Sequence, residues 1–89
     1  MKLFNDATSY VMDLNNLIWN YINNRHLYPE NAQLAVQPEI MANVIDDPEQ
    51  CHYCDFYDLS LFISRDMHGN PVPNELAIQN VANRYYQAG

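Results

Sequence analysis

Advancing each residue by about 100° around a helix axis gathers Tyr10, Val11, Leu14, Leu17, Ile18, Tyr21 and Ile22 into one arc of roughly 140°. Asp13, Asn16, Asn20 and Asn24 fall on the opposite side. This spacing predicts an amphipathic helix over residues 5–24. Asn5 or Asp6 can cap its first turn, and Arg25 suits the negative end of its dipole. Tyr28-Pro29 stops it, because the residue before a proline avoids helical backbone angles. Met12 and Trp19, seven positions apart, fall about 60–80° beyond the apolar arc and form a shoulder on its flank. Toward the other end of the chain, Pro73-Asn74-Glu75 announces a second helix over residues 75–87, with Asn74 as its cap. Ala77, Ile78, Val81, Ala82, Tyr85 and Tyr86 share an arc of about 180° there, and Gln79, Asn80, Asn83 and Arg84 face outward.

The middle of the chain has shorter apolar runs, which period alone does not assign. Leu34 and Val36 alternate as in a strand, Pro38-Glu39 make a turn, and Val44 lies on a returning strand, so a hairpin is favoured. The competing pattern is a helix opened by Pro38, with Ile40, Met41, Val44 and Ile45 as its apolar stripe. In Phe56–Ser64, Tyr57, Leu59, Leu61 and Ile63 alternate, yet Asp58 followed by Leu59, Phe62 and Ile63 reads as a short capped helix, the reading preferred here. His68-Gly69-Asn70-Pro71 is a turn by composition. The expected architecture is a single α+β domain over 1–89: the two amphipathic helices packed on a short β-hairpin, with a short helix between. An all-α bundle is the alternative.

Length and composition narrow the functional classes. A chain of 89 residues buries only about 60–65% of its unfolded surface, enough for one small core. No uninterrupted aliphatic or aromatic run exceeds three residues, as in Leu34-Ala35-Val36, so no membrane-spanning helix is expected. Met1-Lys2-Leu3-Phe4 leads directly into Asn5 and Asp6 without an apolar signal region, so a cytoplasmic location is expected.

The formal charge is −7, and its excess sits in one block. Between His26 and Ser64 there is no lysine or arginine, whereas Glu30, Glu39, Asp46, Asp47, Glu49, Asp55 and Asp58 are all acidic. Such a face would repel a phosphate backbone, so direct nucleic-acid binding is not expected. A solvated acidic surface is the simplest reading. The sharper one is a decoy that presents nucleic-acid-like charge to a basic protein. Twelve asparagines stand beside a single lysine, as though amides replace cations.

Cys51-His52-Tyr53-Cys54 is the one motif with candidate chemistry. A redox pair needs a stabilised thiolate, and the neighbouring carboxylates of Asp46, Asp47, Glu49, Asp55 and Asp58 disfavour one. Two thiols two residues apart can hold one face of a tetrahedral zinc, with His68 a third ligand and a fourth drawn from His26, His52 or a second subunit. Two reduced structural cysteines are the plainer reading. Pro48 breaks the ligand spacing of a calcium loop, and no HExxH, GxSxG or phosphate loop occurs. An enzyme is therefore not expected. The expectation is a small acidic interaction protein that self-associates, as in a homodimer, or docks on a protein partner through Met12 and Trp19, without a cofactor. Zinc stabilisation and the charge decoy are the alternatives.

Overall fold

The computed structural model describes residues 7–37, 44–45 and 55–86. The order of elements is helix α1 (Ala7–Asn23), a 3-10 turn (Arg25–Leu27), strands β1 (Gln33–Ala35), β2 (Val44–Ile45) and β3 (Phe56–Asp58), and a second 3-10 turn (Leu59–Phe62). Strands β4 (Ile63–Arg65) and β5 (Pro71–Pro73) and helix α2 (Glu75–Tyr86) complete it. The fold is α+β, with two α-helices and two small antiparallel sheets among the described residues.

In α1, Tyr10, Leu14, Ile18 and Tyr21 are buried, and Val11, Leu17 and Ile22 pack against them at the margin. Burying each large side chain is worth about 1.5–3 kcal/mol, so this stripe secures the helix to the core. The helix stops at Asn23, earlier than Tyr28-Pro29 alone predicts. The Asn24 backbone N–H still reaches the Asn20 carbonyl at 3.0 Å, and its amide Nδ2 donates to the same oxygen at 2.9 Å. A 3-10 turn then leads to Tyr28, whose φ of −115° and ψ of 149° are the extended angles that Pro29 demands. The Tyr28 ring folds back against Tyr21, with centroids 5.2 Å apart.

The expected hairpin is present as β1 and β2, with Gln33 opposite Ile45 and Leu34 opposite Val44. Leu34 and Val36 both lie in the core. Val44 and Ile45 are strand, so the helical alternative fails at those two positions; the Pro38-Glu39 turn lies outside the described residues. The hairpin is also not alone. Strand β3 pairs antiparallel with the other side of β1, Leu34 opposite Tyr57, and gives the order β2-β1-β3.

The segment 56–64 combines both of its sequence patterns. Asp58 caps a 3-10 turn as expected, its carboxylate accepting from the Ser60 N–H at 2.9 Å, and Leu59 and Phe62 point into the core. Ile63 belongs not to that helix but to β4, which pairs with β5 in a second, two-stranded sheet. The prolines at 71 and 73 hide β5 from pattern reading, since proline is depleted in strands. Here they are tolerated by their register. The Asp66 N–H donates to Asn70 at 3.0 Å and the Asn74 N–H to Phe62 at 2.7 Å, so the alternation of an antiparallel ladder turns Pro71 and Pro73 to the outer edge. No ladder donor is lost, and the edge offers none at those positions to a neighbouring chain.

The turn joining β4 and β5 is organised by Asp66, whose carboxylate accepts the His68 and Asn70 N–H groups at 2.8 and 2.9 Å. The Asn70 bond first, and that of His68 after it, hold the carboxyl below its ordinary pKa. Gly69 has φ of +83°, a conformation that a side chain penalises even though a Cβ there would meet open space. Gly69→Ala is expected to cost about 1–2 kcal/mol in urea unfolding.

Helix α2 begins as read, with Asn74 Oδ1 accepting from the Ala77 N–H at 3.3 Å. Ile78, Val81 and Ala82 are buried, and Ala77, Tyr85 and Tyr86 flank them. Helix α1 packs on α2 and on β5, and the buried apolar residues form one cluster.

Candidate functional site

Met12 and Trp19 are the shoulder residues, and the fold leaves both at the surface, 61% and 39% exposed. Their neighbours in the main arc are buried against α2 and the sheets, whereas Met12 and Trp19 lie partly covered at the seams of α1 with α2 and with β5. Met12 borders a shallow depression with Thr8 and with Gln79 of α2. Trp19 borders a second, where α1 meets β5, beside Asn15, Val72, Pro73 and Glu75. Trp19 thus lines a depression with mixed polar and apolar walls.

A third depression, of about 500 Å³, lies on the far side of α2. Tyr57, Phe62, Ala77 and Val81 line it, and Leu61 and Leu76, 54% and 71% exposed, stand at it as well. Asn74, which caps α2, borders both this groove and the one beside Trp19. Leu76 is legible on the helical wheel as an apolar residue among Asn80, Asn83 and Arg84, a signal that the sequence reading passed over.

At the end of this groove α2 is tied to β3 by polar side chains. Arg84 donates to the Tyr57 hydroxyl at 2.7 Å and forms an ion pair with Asp55 at 3.1 Å. The Tyr85 hydroxyl donates to the same Asp55 carboxylate at 2.5 Å. The Val36 N–H takes the Asp55 carbonyl at 3.1 Å. Tyr10, fully buried, donates its hydroxyl to the Val36 carbonyl, and its ring sits between Tyr85 and Tyr86 at centroid distances of 6.4 and 5.6 Å. Asp55 therefore serves as a paired anchor rather than as part of an open acidic face, and Asp58 is occupied as a cap.

Burial pushes both the Tyr10 and the Tyr85 phenols well above their ordinary value, and for Tyr85 the bond to Asp55 adds to it. Each phenol binds its proton more tightly folded than unfolded. Their stabilisation is complete below the unfolded phenol value, about 10, and is lost as pH rises through the folded values. Thermal unfolding midpoints are expected to hold up to about pH 10 and then fall, Tyr10 contributing a slope of about 1.4 kcal/mol per pH unit. Tyr10→Phe should flatten that decline.

The other sequence candidates are less assembled. His68 is exposed in the β4–β5 turn, where its backbone N–H is held by Asp66. Cys51 and Cys54, and the acidic residues Glu39, Asp46, Asp47 and Glu49, lie outside the described residues. Among the described residues no three histidine, cysteine or carboxylate side chains gather as a metal site would need. No helix among them is long and apolar enough to cross a membrane. Tyr57 packs edge-on against Phe62 at 5.9 Å and so joins the margin of the main core. Compared with family models, with curated proteins and with solved structures, the chain matches none of them.

Proposed function

We propose that this protein works by docking on a protein surface, a second copy of itself or another chain, through the flank of α1 that carries Met12 and Trp19. The observation that supports this reading most is the placement of Trp19: the largest apolar side chain of α1 is kept out of the core formed by Tyr10, Leu14, Ile18 and Tyr21. Tryptophan is enriched among the residues that dominate binding energy, and methionine adapts to irregular partner surfaces. The polar rim of Asn15 and Glu75 beside the indole suits an interface centre bordered by hydrogen-bonding groups.

The test is a photo-crosslinking residue placed at Met12 and, in a second sample, at Met67, which is 92% exposed in the β4–β5 turn. The Met12 probe is expected to give a discrete protein adduct in cells, lost when Trp19 is also replaced by alanine, while the Met67 probe gives none. Equal yields from the two positions, or no adduct from Met12, would defeat the reading.

A further inference from the structure

The depression beside Trp19, of about 390 Å³, has a more specific chemistry than an apolar patch. Its walls come from α1, β4, β5 and the start of α2, and every residue lining it is described. Among those lining residues Glu75 alone is charged. Glu75 is exposed, and no described residue forms an ion pair or hydrogen bond with its carboxylate. The described arginines are occupied or placed elsewhere: Arg84 is paired with Asp55, Arg65 donates to the Gly69 carbonyl at 3.2 Å, and Arg25 lines a separate hollow beside Tyr28. Glu75 opens α2, where the positive end of the helix dipole amounts to about half an elementary charge. The full negative charge of the carboxylate exceeds it, so the mouth of the depression stays net negative.

Trp19 shares that depression, and the face of an indole attracts cations. Asn15 and Ser64 add an amide oxygen and a hydroxyl, both of which accept hydrogen bonds. An anion is turned away by Glu75. An apolar side chain would strip water from Glu75, Asn15 and Ser64 and give no hydrogen bond in return. A guanidinium meets all of these groups at once: it stacks flat on an indole, offers a fork of N–H groups to a carboxylate, and has further donors to spare. A lysine ammonium, compact and strongly hydrated, uses the charge without the plane or the fork. A second copy would bring its own net charge of −7 to this negative mouth, so the cation belongs to a different protein.

We propose that the depression between Trp19 and Glu75 seats an arginine side chain of a different protein, its guanidinium stacked on the indole and hydrogen-bonded to the carboxylate. This rests on docking through the α1 flank and names what that flank recognises.

The chain has a single tryptophan, so its intrinsic fluorescence reads this site alone. The full chain is titrated with a blocked tripeptide carrying arginine between two alanines, and with the same peptide carrying citrulline or lysine instead. A saturable change in Trp19 emission is expected with arginine. Citrulline keeps the shape and loses the charge, and should bind about tenfold more weakly; lysine should fall between the two. Glu75→Gln should weaken the arginine peptide about tenfold and leave the unfolding midpoint nearly unchanged, since Glu75 is exposed. A change that does not saturate, equal binding of the arginine peptide and either substitute, or an unaltered affinity in Glu75→Gln would overturn the proposal. The same emission change on concentrating the protein without peptide would assign the seat to a second copy and overturn it too. Docking itself is scored apart, by the Met12 probe: an adduct that needs Trp19 but survives Glu75→Gln leaves docking standing and removes the arginine.

Discussion

Replacing Tyr10 by alanine is expected to remove about 3–5 kcal/mol of stability, a large share of the about 4–13 kcal/mol that a domain of this length has in total. The reason is the number of elements that meet at one side chain. Tyr10 is fully buried on α1, its ring lies against Tyr85 and Tyr86 of α2, and its hydroxyl holds the Val36 carbonyl just beyond β1. Val36 in turn binds Asp55, which is anchored to α2 by Arg84 and Tyr85. Truncation opens a cavity where two helices and a sheet converge, and the walls are rings held by separate partners, so they cannot collapse freely. Tyr10→Phe keeps the ring and should cost only about 1–2 kcal/mol, the worth of one buried hydrogen bond. Urea unfolding of the two variants separates packing from hydrogen bonding. If both lose the same small amount, Tyr10 is not the junction described here.

The second large effect is expected on association rather than on folding. Trp19→Ala should weaken docking by about 2 kcal/mol or more, which is about 30-fold in affinity. Its cost in stability should stay near 1 kcal/mol, because the indole lies outside the buried cluster. Tyr10 and Trp19, two aromatics on one helix, should therefore part company: one variant is destabilised and binds in proportion to its folded fraction, the other stays folded and binds weakly. Paired unfolding and crosslinking measurements read both quantities. A Trp19→Ala loss as large as that of Tyr10→Ala would return the indole to the core and remove it from any interface.

The two helices were legible because each places six or seven apolar residues on one side over three or more turns, so period alone assigns them. The Asn74 and Asp58 caps were legible for a local reason, since a short polar side chain binds an N–H only two or three residues ahead. What escaped was nonlocal or masked. Pairing of β3 with β1 joins Phe56 to Ala35 across the whole excursion of the chain, and three residues carry no pattern that names such a partner. Strand β5 was hidden by two prolines that only an edge register tolerates. Among the candidate site residues, Met12 and Trp19 were legible as a shoulder because their angle on the wheel is a property of α1 alone. The linked set of Asp55, Tyr57, Arg84 and Tyr85 was not, because its members come together only when β3 and α2 dock.

Whether the α1 flank is accessible in isolation and covered in use is read by hydroxyl-radical footprinting. Met12, Trp19 and Met67 all react readily, and Met67, 92% exposed in the β4–β5 turn, serves as the internal reference. In dilute purified protein all three should be oxidised. In a native cell extract Met12 and Trp19 should become protected together while Met67 stays reactive. Unchanged reactivity of Met12 and Trp19 relative to Met67 would contradict docking through this flank.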